Sequence, residues 1–227
     1  SPTDGIALNL TLSYSTDLDA VKIIRNGDGM TSEKPKDRHH HGNLRVALIE
    51  AGIGLLTEGG RDALTLRRCA ARAGVSHAAP AHHFDGLDGL RVAIAEEGFA
   101  RFRRRMLDFA DSGPQTPRDR LFGICRGYLA FAREEPALYD LIFSFRANSR
   151  LLADLEEGSA PSYMVLRDSC APFQPPDADP VILETQVWSL VHGYAMLILT
   201  GRFGDTSARD EEFLAVLDRI IAPPLSP

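Results

Sequence analysis

The stretch from Leu64 to Leu90, LTLRRCAARAGVSHAAPAHHFDGLDGL, leaves this chain few options. Thr65 is placed to cap a helix running from Leu66 to Ala73, and Gly74 supplies the left-handed residue that ends it. Ser76 is placed to cap a second helix that closes near Phe84, with Pro80 in about its first turn. The small residues Ala70, Ala71, Ala73, Ala78 and Ala79 let two helix axes approach closely at a steep angle. Two short helices about a glycine turn form the helix-turn-helix arrangement, whose second helix enters the major groove of duplex DNA. Alanine-rich helical hairpins also occur without any nucleic-acid role, so the remainder of the chain has to decide between the two.

Helical periodicity surrounds this stretch. A first helix is expected from about Asn43 to Glu58, with Leu44, Leu48, Ala51 and Leu55 on one face and Gly59-Gly60 ending it. A long helix follows from Leu87 to about Asp111, carrying Leu90, Ile94, Phe102, Met106 and Phe109 on one side. Arg101, Arg103, Arg104 and Arg105 ride its other faces, where pairing with acidic residues is favoured over DNA contact. Further helices are expected over Arg118–Arg133, from Pro136, near Pro161–Cys170, over Val181–Arg202 and over Asp210–Ile221. The fold class is therefore all-α: an N-terminal helix-turn-helix three-helix domain, then a C-terminal helical ligand-binding and dimerisation domain. The boundaries read as an N-terminal extension over 1–38, the helix-turn-helix domain over 39–86 and the larger domain over 87–227.

The last two helices are apolar on two sides and must be covered on two sides. Leu183, Leu190 and Leu197 recur every seven residues, and Phe213, Leu217 and Ile220 cluster on the final helix. These six residues are predicted to form an intersubunit four-helix bundle in a homodimer. A two-fold dimer suits DNA reading, because it presents half-sites about 34–36 Å apart.

Charge and composition bear on the function classes. The net charge of −6 argues against a DNA binder only if it is spread evenly, and it is not. Basic residues exceed acidic ones between Lys34 and Arg105, and the remainder is strongly acidic. Cys69, Cys125 and Cys170 are too scattered for a disulfide framework or a thiolate site. His39, His40 and His41 are adjacent and do not converge on one ion, so neither a metal nor another cofactor is expected. No apolar run approaches the ~20 residues of a membrane helix, which points to a soluble cytoplasmic protein. Ile6, Leu8, Leu10, Leu12 and Tyr14 alternate like a strand that pairs with Asp19–Arg25 in a hairpin; alternatively, Met30 is the natural start and the residues before it lie upstream. Thr31–Arg38 reads as an arm with Lys34, Lys36 and Arg38 free to reach a DNA backbone. An enzyme is the rival class, from His82, His83, Asp85 and Cys69. Adjacent helical histidines diverge by ~100° and no nucleophile–base–orienter set assembles, so no catalytic residue is assigned.

Four segments carry a resemblance. AGVSHAAPAHHF resembles the helix-turn-helix of the TetR family of bacterial transcriptional regulators. HHHGNLRVALIEAG resembles the HHG-x-LR opening of the first helix in one branch of that family. Trp188, His192 and Gly193 are similar to that branch's W-x-x-x-H-G signature, and PALYDLIFS resembles the preceding helix. Together the similarity spans about Arg38 to Arg202.

The resemblance implies a repressor that binds a palindromic operator as a homodimer and is released by a small, mostly apolar effector. Carried across by position, the DNA-facing residues are Thr65 and Arg67, then Ser76, His77, Ala78, Ala81, His82 and His83. The effector pocket falls to Phe102, Met106, Cys125, Tyr128, Tyr139, Ile142, Phe143, Trp188, His192 and Met196. The N–H groups of Trp188 and His192, one turn apart, serve either a polar ligand atom or a structural hydrogen bond. Two positions depart from the branch: Ala81 stands where Tyr is usual and Leu87 where Lys is usual. Each loss removes a phosphate contact, so the alternative is a ligand-binding helical dimer whose DNA binding is weakened or lost.

Overall fold

The computed structural model describes residues 38–144, 161–203 and 210–221, the side chains of 38–43 and 144 excepted. All of these fall within one compact unit, Lys36–Pro227. The expected hairpin, the charged arm and the side chains of the three adjacent histidines lie outside the described residues. The described residues are helical or in turns, with no strand among them.

The helices are α1 (Arg38–Ala63), α2 (Leu66–Arg72), α3 (Gly86–Asp111), α4 (Pro117–Glu134), α5 (Pro136–Ser144), α6 (161–170), α7 (Pro180–Leu199) and α8 (Asp210–Asp218). Their ends follow local chemistry. Thr65 caps α2 by accepting from the Arg68 amide at 3.2 Å, Thr116 caps α4 and Asp179 caps α7. Proline opens α4, α5 and α7, where its missing N–H costs nothing. Regular helix in α1 stops at Gly59, and Gly60 takes a φ of +64° before the chain turns toward α2. Gly74, at φ +71°, ends α2. There the Val75 amide donates to Ala70 O and the Gly74 amide to Ala71 O, which is the glycine-terminated helix stop.

The second helix of the hairpin is shorter than expected. Only Ala79–His82 is helical, and it is a 3-10 turn. Pro80 has no N–H to offer Ser76, so the bonds run three residues back instead, Ala79 to Ser76 and Ala81 to Ala78. Ala78 takes the cap position without any side-chain bond, so Ser76 does not cap this segment as predicted. Of the alanines expected to let the axes close up, Ala70 is fully buried, whereas Ala71 and Ala78 face solvent. Leu64, Cys69, Pro80 and Phe84 complete the small core beneath the hairpin.

The centre of the molecule is the pairing of α3 with α4, the most extensive contact between any two described helices. Gly123 and Gly127, one turn apart on α4, allow it. A Cβ on Gly127 would lie 2.5 Å from Arg105 O and 2.6 Å from Met106 Cα. The arginines of α3 engage carboxylates, as the sequence favoured. Arg101 binds Glu50 of α1 and Glu97 of α3, and lies 3.7 Å from Glu135 at the α4–α5 junction. Burial opposes its charge, but the Glu50 and Glu97 hydrogen bonds more than offset that and raise its pKa. Arg133 forks onto Asp210 with two bonds of 2.7 Å, tying α4 to α8.

Helix α7 corrects one sequence expectation. It is 20 residues long and includes an 18-residue stretch of mean hydropathy 1.2, so it is long and apolar enough to cross a bilayer. Its inner side, with Val187, Val191 and Ala195, instead packs into the core against α4. The outer side is bare. Val181, Ile182, Met196 and Leu197 are exposed on α7, as are Val216 on α8 and Ile220 just beyond it.

The six predicted interface residues therefore divide. Leu197 and Ile220 lie on this bare face and Leu190 at its edge, but Leu183, Phe213 and Leu217 are buried in the chain's own core. The reason is helical drift. Seven residues on a straight helix fall ~20° short of two turns, so a stripe that begins inside at Leu183 has rotated outward by Leu197.

Candidate ligand cavity and nucleic-acid interface

Two surfaces carry the functional candidates. The first is the rim of the hairpin. Thr65, Arg67, Ser76, His77, Ala78, Ala81 and His82 are all exposed there. His83 is half-buried, with its ring tilted against Phe84. The neighbouring arginines are tethered: Arg72 binds Glu58 at 2.6 Å, and Arg45 lies over the Phe84 ring at 5.7 Å while reaching Glu96. Of the residues in the catalytic rival, Cys69 is fully buried and burial raises its thiol pKa, so it presents no thiolate to solvent.

The second is a cavity of about 310 Å³ between α3, α4, α5, α6 and α7. It sits at the small end of the range for small-molecule sites. Phe102 and Met106 of α3, Tyr128 of α4, Ile142 and Phe143 of α5 and Trp188 of α7 line it, all of them on the predicted list. Phe99, Ser162, Tyr163 and Leu166 complete the wall. The last three come from α6, where the periodic signal was weakest. Phe99 stood one turn before Phe102 on α3, a spacing that could have found it.

Aromatic packing gives the cavity its shape. The Phe143 ring touches those of Phe99, Phe102, Tyr128, Tyr139 and His192, with centroids 4.7 to 6.2 Å apart. Such edge and offset contacts hold a ring in place beyond what burial alone gives. Ser162 donates to Phe99 O at 3.1 Å and so fixes the start of α6 against α3.

Behind Phe143 lies a polar cluster. The hydroxyls of Tyr128 and Tyr139 are each 2.9 Å from His192 Nδ1. Burial pushes the Tyr128 phenol well above its ordinary pKa and the Tyr139 phenol up to about 12, so both stay protonated. Burial also lowers the His192 pKa below 6.5, leaving the imidazole neutral at pH 7. Both hydroxyls meet the single in-plane position of Nδ1, which donates or accepts according to the ring's tautomer. The His192 ring is held from within the chain by Tyr128 and Tyr139.

Tyr139 and His192 thus form a second layer rather than the cavity wall. Cys125 is wholly within the core with its thiol pKa raised by burial. Met196 points away from the cavity onto the bare face of α7. These four positions fit the pocket's helices but not its wall, because helical spacing fixes a face and not a depth.

Fold and sites define a class: an all-helical protein in which a helix-turn-helix unit shares its long helix with a bundle that encloses an apolar cavity. Comparison with known families matches residues 121–220 to the tetracyclin repressor-like C-terminal domain. Among solved structures, a protein of unknown function from Rhodococcus sp. RHA1 is 27% identical, with a TM-score of 0.70 over 82% of this chain and 97% of that one. A TetR family transcription regulator from Marinobacter aquaeolei VT8 is 18% identical, with a TM-score of 0.61 over 82% and 98%. The regulator FadR of Bacillus subtilis, solved with stearoyl-CoA, is 14% identical, with a TM-score of 0.64 over 78% and 99%. The latter two likenesses are of fold. A comparison with curated proteins gave no match. Residues 121–220 are thus similar to the tetracyclin repressor-like C-terminal domain.

Proposed function

We propose that this protein is a cytoplasmic, ligand-responsive repressor that binds a palindromic operator as a homodimer and lets go when a small, mostly apolar effector fills the cavity. The observation that carries the reading is that the same helices serve both surfaces. The N-terminal part of α3 packs against α1 and α2, and its Phe99, Phe102 and Met106 line the cavity. A second connection runs through α5. Arg61, at the end of α1, donates from Nε and Nη2 to Asp140 Oδ2 and from Nη2 to Asp140 O. Asp140 lies between Tyr139 of the polar cluster and Ile142 of the wall.

Effector binding that moves Phe143 or Met106 would thus displace both supports of the helix-turn-helix. To act, the ligand must favour the state whose two recognition segments are wrongly spaced for successive major grooves, with a coupling of about 1–3 kcal/mol. The bare apolar face of α7 and α8 supports dimerisation, since contiguous exposed apolar surface of this kind marks an interaction site. At the DNA, Thr65 and Arg67 would position phosphates. His77, His82 and His83 would reach base edges or phosphates, and Ala78 and Ala81 would touch thymine methyls.

A second reading keeps the ligand-binding dimer and weakens the DNA contact. It is favoured by the four-residue 3-10 turn in place of a longer recognition helix, together with Ala81 and Leu87. Fluorescence polarisation on duplex from the flanks of the protein's own gene, at low and moderate salt, separates the two. The repressor reading expects saturable binding of two chains per duplex, weaker at higher salt and stronger than to a scrambled duplex. Equal, weak binding to both duplexes would leave only the second reading.

A further inference from the structure

Glu184 is an ionisable side chain where the core should be apolar. It is 4% exposed, on the inner side of α7, and its Oε2 accepts the hydroxyl hydrogen of Tyr163. Tyr163 lines the mouth of the cavity, and its ring lies 5.8 Å from that of Trp188, one turn along from Glu184. A buried carboxylate is costly unless it is paired or serves a ligand. The phenol that it accepts from is neutral.

Among the described residues the wall contains no Lys, Arg or His, whereas five aromatic rings besides Tyr163 face the space: Phe99, Phe102, Tyr128, Phe143 and Trp188. At the wall, Ser162 donates to Phe99 O and the Tyr163 hydroxyl to Glu184. Arg167, whose charge reaches Tyr163, is itself exposed and bonded to Asp168. Such a chamber offers acceptors, ring faces and one buried negative charge. Among the described wall residues there is no cation for a carboxylate or phosphate.

We propose that the cavity takes a lipophilic ammonium, an apolar amine or quaternary ammonium whose cationic head sits at Tyr163 and Trp188 above the Glu184 carboxylate. The phenol relays the charge: by donating to Glu184, its oxygen becomes a stronger acceptor and its ring a better face for a cation. Glu184 is a positioning residue in this scheme, acting through Tyr163. The inference rests on the reading of the cavity as the effector site and specifies what that site selects.

Trp188 is the chain's one tryptophan, so its emission reports occupancy of the mouth directly. Phenylbutylamine, phenylbutanol and phenylbutyrate share one body and differ in charge, and each is titrated against the full-length protein. The amine is expected to bind about tenfold tighter than the alcohol, and the acid more weakly still. Glu184→Gln, which keeps an acceptor for Tyr163, should bring the amine down to the alcohol's affinity and leave the alcohol unchanged. If the alcohol or acid binds wild type as tightly as the amine, the charge selection is wrong while the cavity reading survives. Preference for the amine that persists in a folded Glu184→Gln variant overturns the role of the carboxylate. No change in Trp188 emission with any probe up to millimolar concentration overturns both the selection and the cavity reading. Should the variant not fold, the wild-type series alone decides.

Discussion

Replacing Gly127 with alanine tests whether the α3–α4 contact positions the cavity. Two effects oppose each other. Alanine in a helix interior is favoured over glycine by about 1 kcal/mol, and an unhindered site would simply gain that. Here the new Cβ would meet Arg105 O at 2.5 Å and Met106 Cα at 2.6 Å. These are backbone atoms of a helix that cannot swing aside as a flexible side chain does. Restoring ordinary contact requires α3 and α4 to part by about an ångström locally, and overpacking of this sort costs about 1–3 kcal/mol. Because the obstacle is backbone on a buried helix, we take the upper end, leaving a net loss of about 2 kcal/mol. For a chain of this size that lowers Tm by about 4–8 °C. Met106 lines the cavity, so the same displacement should weaken binding of any probe that quenches Trp188. Differential scanning calorimetry and fluorescence titration read the two effects. A Tm equal to or above wild type would refute the reasoning, since it would mean that propensity wins and the helices are not in hard contact.

Other perturbations follow from the same geometry. Burial holds the His192 imidazole below its unfolded pKa of 6.5, so the unfolded chain binds the extra proton first as pH falls. This contribution to stability is complete above pH 6.5 and declines toward acid; Tm measured from pH 5 to 8 should fall less steeply for His192→Gln than for wild type. Asp140→Asn breaks a surface pair worth under about 1 kcal/mol, so Tm should barely move while the ligand's effect on DNA affinity shrinks; an unchanged ligand effect would rule out the α5 route. Ile182→Glu combined with Leu197→Glu places charges on the bare face of α7 and should yield a folded monomer by sedimentation, whereas a persistent dimer would place the interface elsewhere.

Much of this architecture is legible in the residues themselves. Thr65, Gly74 and the prolines at 117, 136 and 180 mark helix ends by local chemistry, and those ends fall close to where they were expected. Six of the ten predicted pocket residues line the cavity because an aromatic stripe on α3, α4 and α5 has few places to go. What the pattern hides is depth and partnership. Leu183 and Leu197 belong to one heptad stripe, yet one is core and the other exposed, since a straight helix drifts ~20° per heptad and the pattern does not say at which end the stripe faces inward. The hairpin shortens because Pro80 sits where a backbone donor was needed, a local rule outweighed in the reading by the alanine pattern. Glu184 and Tyr163 are ordinary letters in their own segments. They become a site only when α6 and α7 meet, a long-range contact that no periodicity encodes.

The most direct test of the whole account is the affinity of the dimer for operator duplex, measured with and without a compound that saturates the Trp188 quench. Coupling of the two surfaces through α3 and α5 predicts that the ligand weakens operator binding by about 5- to 150-fold. A compound that fills the cavity by the Trp188 signal and leaves operator affinity unchanged would contradict it.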